Sequence, residues 1–418
     1  MKSLVDLRPI REFPLFRRLW LGSTASGLGS HFTSFAVVYY VWTQSHNPAL
    51  VGLVGLASAV PLVTIALVGS AVIDHIDRRR LALTVTAGQA VTSLLMVLVA
   101  ASAGRNGIWL MLGLTSVASA LSGLGNPVLR SVVPGLLPAD RLAAGLALNH
   151  LSFQVTLLLG PVLAGAVTAA WGTTWCFVID AASFLAALAG IAGLPRAGAA
   201  PASGRRGFPA IRDGLRFAAG TPVVRGALLA DLAATVLAMP MAVFPVISDE
   251  RYGGSPQVLG LLTTAVAVGG VAASAFSGVV TGLSRPGRAM VACGAVWAVA
   301  LALAGAVPQL AVVLVMLAVA GAADTWAVVC RGTLVQSATP ESLRGRISAA
   351  EHIVGVAGPQ IGGLRAGLVA AGTSGGAALL LGGLTSLAAV GLIAVTTPGL
   401  LAARAAAVGE PAEPERVD

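Results

Sequence analysis

The chain has 418 residues, of which 56% are apolar and only 10% charged, with 26 Lys and Arg against 17 Asp and Glu. Soluble globular chains carry about 25% charge, so this composition excludes a soluble enzyme and a disordered chain alike. Three scattered cysteines (Cys176, Cys293, Cys330) match neither a disulfide framework nor a metal site, and a single lysine, Lys2, leaves no internal Gly-Lys for an ATP-hydrolysing phosphate loop, so neither a metal nor a cofactor is expected.

In chain order, apolar runs long enough to cross a bilayer fall at about 18–42, 49–73, 81–103, 108–131, 143–170 and 173–194. A second set follows at about 224–247, 257–283, 289–306, 308–331, 347–371 and 375–397. Period-2 alternation is absent, so the runs are helices; only helices and closed barrels satisfy the backbone in lipid. Their Gly, Ala and Ser content suits close helix packing. Met1 to Trp20 is too polar for a signal-peptide core, so the first run is expected to remain in the mature chain. The expected fold is an all-α integral membrane protein with twelve transmembrane helices in two pseudo-symmetric six-helix bundles.

The basic residues orient it. The N-terminal tail holds Lys2, Arg8, Arg11, Arg17 and Arg18; the loops after runs 2 and 4 hold Arg78, Arg79, Arg80, Arg130 and Arg141. The central stretch adds six arginines from Arg196 to Arg225, and Arg285, Arg288, Arg331, Arg344, Arg346, Arg404 and Arg416 follow. That places 23 of 26 on one side; Arg105 and Arg251 lie opposite, and Arg365 is inside run 11. By the positive-inside rule the rich side is cytoplasmic, with both termini there, and the chain belongs in the cytoplasmic membrane. The net charge of +9 therefore reports topology rather than a nucleic-acid partner.

Four segments follow: an N-terminal bundle over 1–195, a linker over 196–222, a C-terminal bundle over 223–398 and a disordered tail over 399–418. Within the linker, Phe208, Ile211 and Leu215 share one face of a short basic amphipathic helix, expected on the cytoplasmic membrane surface. The two bundles echo each other. GPVLAG at Gly160–Gly165 in run 5 is answered by GPQIGG at Gly358–Gly363 in run 11, 198 residues on, and Pro138 and Pro340 open the preceding loops. Six plus six helices with an internal repeat is the layout of a secondary transporter, with the substrate path between the halves.

From about Phe16 to Gly399 the chain resembles the major facilitator superfamily, and within it the branch of efflux proteins that includes the enterobactin exporter and the transmembrane secretion effectors. The stretches SAVIDHIDRRR (Ser70–Arg80), Pro127–Leu148, FVIDAASF (Phe177–Phe184) and QSATPESLRGRIS (Gln336–Ser348) carry the resemblance. It implies alternating access, and a cytoplasmic gate in which Asp74, with Arg78, Arg79 and Arg80, faces the start of helix 11 near Ile347. The motif departs from the family pattern at Ser70 and His75, and its second copy has Gly282 in place of the acid. The Gly-Pro motif (Gly160, Pro161, Gly165 and, in the second half, Gly358, Pro359, Gly362, Gly363) resembles the pattern of exporting antiporters, with Ala164 replacing one glycine.

Ionisable groups within a span cost about 2.5–3.5 kcal/mol each at its centre, so each needs a reason. Asp180 sits in run 6, Asp231 in run 7, Asp324 in run 10, and Glu351, His352 and Arg365 in run 11. At 1.5 Å per residue, Asp231 and Asp324 lie about 10 Å and Glu351 about 6–8 Å in from the cytoplasmic ends, which puts them in one layer. Asp231, Asp324, Glu351 and Asp180 are the candidates for proton coupling; a static pair of Asp324 with Arg331, two turns away, is the alternative. Arg365 is expected to reach the outer surface or line the cavity. His31, Phe35, Tyr39, Gln89, Gln154 and Trp326 are the remaining candidates for the substrate path.

The function these features predict is export of a small amphipathic molecule, siderophore or drug-like, by a monomer in exchange for protons; a proton-coupled uptake symporter of the same fold, or a membrane channel, is the alternative. GTSGG (Gly372–Gly376) matches a nucleophile-elbow pattern, but no histidine follows His352, so it reads as a Gly-rich turn and not as an enzyme site.

Overall fold

The structure, a computed structural model, describes residues 6–68, 77–102, 107–195, 208–276, 278 and 283–403. Its spanning helices are α1 (Pro14–Ser45), α2 (Pro48–Val68), α3 (Arg78–Ser102), α4 (Gly107–Val132), α5 (Ala139–Trp171) and α6 (Thr173–Ala192). The second half comprises α7 (Pro222–Ala238, continued by Phe244–Tyr252), α8 (Pro256–Ala275), α9 (Pro286–Ala306), α10 (Leu310–Ala338), α11 (Glu341–Gly372) and α12 (Gly375–Thr396). Among the described residues, eleven of these are long and apolar enough to cross a bilayer by composition alone. The twelfth, α1, has 32 residues but is diluted by hydroxyls such as Thr24 and Ser34, which satisfy themselves on the carbonyls of Trp20 and Ser30.

Several helices outrun the apolar stretches that mark them. α5, α10 and α11 continue past the hydrocarbon by several residues at the end where the linker lies, because hydropathy reports the lipid-immersed part and not the backbone ladder. Run 7 is interrupted. Met239 is extended ahead of Pro240, whose missing N–H and preference for an extended predecessor stop the helix; a 3-10 turn, Met241–Val243, restarts it.

Inside each half the same helix pairs pack. α1 lies on α5 and α6, α3 on α4 and α6, and α2 on α4; their counterparts are α7 on α11 and α12, α9 on α10 and α12, and α8 on α10. The internal repeat is therefore architectural. The halves meet along α2–α11 and α5–α8.

The apolar cores divide by depth. At the far end from the linker, one continuous cluster runs through both halves, joining Val51 and Val54 of α2, Phe35 and Val41 of α1, Leu259 and Leu262 of α8, and Ala366 and Ala370 of α11. At the linker end it is replaced by two separate clusters. One, around Phe16, Val85, Leu148 and Ile191, belongs to the first half; the other, around Leu228, Met290, Leu334 and Ile347, belongs to the second. Trp109, Trp171 and Trp175 are exposed at the far end, where an aromatic belt meets the membrane interface.

The linker helix runs Phe208–Gly220 and docks on α11. Gly214 lies against the backbone of Arg346 and Ile347, and Asp213 pairs with Arg346 at 3.1 Å. Ala218 is buried in the second-half cluster while Leu215 is 45% exposed. The face that docks carries Gly214, Phe217 and Ala218, and Gly214 lets the two backbones approach closely. The stretch 196–207 and the tail from 404 onward lie outside the described residues.

Candidate transport cavity and ionisable cluster

Two cavities sit between the halves, of about 400 and 370 Å³. They share a wall made of Ser34 and Val38 from α1 and Met241 from the turn that breaks α7. The first lies among α1, α2, α3, α4, α6, α7 and α11, and Gln89, Gln360, Pro359 and Gly363 line it together with Asp180. The second opens among α1, α5, α7, α8 and α10, and holds His31, Phe35, Gln154, Pro161 and Asp324. Among the described residues, no Lys or Arg lines either cavity.

Asp180 is 2% exposed. Thr33 and Ser93 each donate a hydroxyl to its Oδ2 at 2.7 Å, tying α6 to α1 and α3, while Oδ1 has no hydrogen-bond partner among the described residues. Gly29 makes room for this group, since a Cβ there would lie 2.7 Å from Oδ1. Gln89 donates to Ser122 at 2.9 Å and so has a fixed orientation. Of the other expected lining residues, Tyr39 stacks behind Phe35 with ring centroids 6.1 Å apart, and Trp326 donates its indole N–H to Ala273 O at 3.0 Å; both support the wall rather than line it.

Apart from these cavities, α7, α10 and α11 bring Asp231, Arg331 and Glu351 together. The Arg331 guanidinium pairs with Asp231 and reaches Glu351 at 3.8 Å, and all three side chains are at most 13% exposed. The pairing of Arg331 with Asp324 does not form. Seven residues along one helix is a rise of about 10.5 Å, too far for the side chain, whereas α7 and α11 present carboxylates beside it.

Arg365 neither lines a cavity nor reaches outward. It donates to Leu237 O at 2.5 Å and to Thr385 Oγ1 at 3.3 Å. The break at Pro240 leaves Leu237 O without its helical donor, and Arg365 fills that role. Arg251, at the far end, donates to the carbonyls of Ala304, Gly305 and Val307 and closes the C-terminus of α9, which accounts for a basic residue on that face.

Asp74 lies outside the described residues. Arg79 bonds Ala192 O at 2.6 Å, so it closes the end of α6 in its own half, and Asp77 caps α3 by accepting from Arg80 N at 2.9 Å. Among the described residues, the Arg78 and Arg80 side chains form no ion pair with the other half.

The Gly-Pro motifs have matching roles in the two halves. Gly160 packs on His31 of α1, and Gly358 and Gly362 pack on Thr235 of α7. Gly260 of α8 faces the Pro161 carbonyl, as Gly52 of α2 faces Gly363 and Leu364 of α11. Each motif helix thus leans on the first helix of its own half and the second helix of the other. Sequence reasoning missed Thr33, Ser93 and Met241; the Met-Pro step at 239–240 in mid-run was the available signal for the last.

Two six-helix repeats enclosing central cavities, with coupled helices at the interface, define a membrane transporter of the major facilitator type. The chain belongs to the family described as transmembrane secretion effectors, whose profile matches residues 5–409. It is 25% identical to the enterobactin exporter EntS of Shigella boydii serotype 4 over 361 residues, 86% of each chain, and 24% identical to EntS of Escherichia coli O139:H28 over the same share. Among solved structures, a variant of the nucleoside transporter NupG superposes with a TM-score of 0.74 at 13% identity, over 91% of this chain and 99% of that one. A bacterial homologue of the iron transporter ferroportin gives 0.71 at 16% identity in its inward-facing state, covering 93% of this chain and 99% of that one. The outward-facing structure gives 0.61 at 17% identity, with 93% and 100% covered.

Proposed function

We propose that this chain is a secondary exporter that carries a small amphipathic molecule, siderophore or drug-like, out across the cytoplasmic membrane by alternating access in exchange for protons. The observation that carries the reading is the division of the apolar core: one cluster seals both halves at the far end, and two separate clusters leave the linker end divided. With the arginine-rich end cytoplasmic, this is an inward-facing state, ready to load from the cytoplasm. The enterobactin exporters named above support the direction.

Proton exchange is assigned to the Asp231–Arg331–Glu351 cluster. One guanidinium serves two carboxylates, so one carboxylate is free to take up or release a proton as the cavity changes sides. A proton entering down about 150 mV releases roughly 3.5 kcal/mol, enough for a gradient of a few hundred-fold in a neutral cargo. The cytoplasmic gate is assigned to Asp74 closing on the start of α11 when the protein opens outward.

In inverted vesicles with an acid lumen, adding a transported cargo should discharge the proton gradient, and Glu351→Gln should abolish that discharge while leaving cargo counterflow intact. Discharge at the wild-type rate in both Glu351→Gln and Asp231→Asn would remove the cluster from coupling. Cargo accumulation only when the lumen is alkaline would reverse the direction.

A further inference from the structure

We infer that the first cavity takes an uncharged, hydrogen-bonding cargo, and that Gln360 of α11 selects it, together with Gln89, Ser119 and Ser122 of the first half. This rests on the exporter reading and names the substrate class of the same site. Three observations carry it.

The first comes from the internal repeat. GPVLAG in α5 and GPQIGG in α11 hold equivalent places, each against a glycine on the second helix of the other half. The residue after the Gly-Pro pair is Val162 in the first copy and Gln360 in the second. Val162 packs beside Gly260 of α8 and is on the wall of neither cavity, whereas Gln360 lies against Gly55 of α2 and lines the first. Packing at this position is thus met by an apolar side chain, and an amide there is costly to desolvate unless something hydrogen-bonds it. Among the described residues nothing does. Gly55 makes room for the amide, since a Cβ there would lie 2.4 Å from Gln360 Oε1.

The second is the set of polar groups on the same wall. Ser119 and Ser122, three residues apart, share one face of α4, and both line the cavity with Gln89 of α3. Gln89 donates to Ser122 at 2.9 Å, which fixes its amide and leaves its carbonyl oxygen to accept. The hydroxyls of Ser34, Ser58 and Thr115 are engaged by carbonyls of their own helices. Those of Ser119 and Ser122 donate to no group among the described residues. Unused donors and acceptors therefore face one cavity from both halves.

The third is charge. Among the described residues, Asp180 is the one ionisable side chain on this wall, and it is enclosed: Thr33 and Ser93 hold Oδ2, and Oδ1 is packed against Gly29. An ionic cargo would be desolvated here without a counter-ion, while a hydroxyl, amide or ester meets its complement. Met96, Met239 and Met241 offer flexible, polarizable surface to the apolar body of such a molecule.

One body in three charge states tests this. Three radiolabelled esters of chloramphenicol at the same hydroxyl, the neutral pentanoate, the anionic glutarate and the cationic 4-trimethylammoniobutanoate, share ring, amide and length. Equilibrium binding of each, in separate samples, is measured on the purified full-length chain in nanodiscs, corrected for uptake by empty discs. Saturable binding is expected for the pentanoate, with both ions at least tenfold weaker, about 1.4 kcal/mol. Gln360→Met keeps the length of the side chain and loses the amide, and should weaken pentanoate binding about tenfold. Gln360→Glu should reverse the order, favouring the cationic ester over the neutral one, which a merely structural glutamine would not do. Gln257→Met, at an exposed position outside both cavities, should change nothing. Melting temperatures verify folding, and should Gln360→Met not fold, Gln360→Val, the residue of the first copy, replaces it. No saturable pentanoate binding, either ion binding as tightly as the pentanoate, wild-type pentanoate affinity in the folded Met or Val variant, or an unchanged order in Gln360→Glu would overturn the inference. Binding needs neither direction nor coupling, so its failure is distinct from failure of the vesicle experiment.

Discussion

Replacing the glycines at the far-end seal should tip the transporter toward its outward-open state. A Cβ at Gly367 would lie 2.3 Å from Pro48 O, and one at Gly165 would lie 2.6 Å from Pro256 O. Both obstacles are backbone of the other half, so neither can swing away. Ordinary contact begins near 3.4 Å, so Gly367→Ala and Gly165→Ala must each move a helix of one half by roughly 1 Å relative to the other. Overpacking of that order costs about 1–3 kcal/mol, which lowers the ratio of closed to open far end about 5- to 150-fold per site. The two glycines sit on different interfaces, α11–α2 and α5–α8, so their effects should add. Spin labels at Ser102→Cys and Gln309→Cys, exposed at the far end of α3 and at the N-cap of α10 in opposite halves, report the opening as a longer distance by pulsed electron resonance. Gly22→Ala is the contrast. Its Cβ would lie 2.8 Å from Ala186 O within the first half, so it should lower the melting temperature without shifting the distances. An unchanged distance distribution in the Gly165→Ala/Gly367→Ala double variant, with melting lowered as in Gly22→Ala, would refute the claim that this seal sets the state.

Three further outcomes follow from the same geometry. Arg331→Met strands Asp231 and Glu351 and should destabilise the detergent-solubilised protein by about 3–5 kcal/mol; adding Asp231→Asn and Glu351→Gln should restore most of the loss, and an unchanged melting temperature in the single variant would contradict the pairing. Arg365→Leu leaves Leu237 O without its donor, at a cost of about 1–3 kcal/mol, and hydrogen exchange should rise around the α7 break and not in α9. Asp74→Asn should cut export strongly while membrane insertion and yield stay at wild-type levels; wild-type flux would sink the gating role.

Much of this protein was legible in its sequence, for physical reasons that can be named. Lipid forces every backbone group to pair within its own segment, so apolar runs had to be helices, and the GPVLAG and GPQIGG repeats disclosed two related halves before any contact was known. What the sequence by itself could not decide was pairing across helices. Depth alone put Asp231, Asp324 and Glu351 in one layer, but depth carries no azimuth. The packing of α7 and α11 beside α10 gave Arg331 to Asp231 and Glu351 and left Asp324 facing a cavity. Arg365 shows the same limit, for its partner is a carbonyl that exists as a free acceptor only because α7 breaks at Pro240. Asp180 was visible as a buried acid, yet its half-satisfied state depends on Thr33 and Ser93, 147 and 87 residues away. One-dimensional hydropathy determined what spans the membrane; which charges meet, and which line a cavity instead, was decided by helix rotation in the tertiary structure.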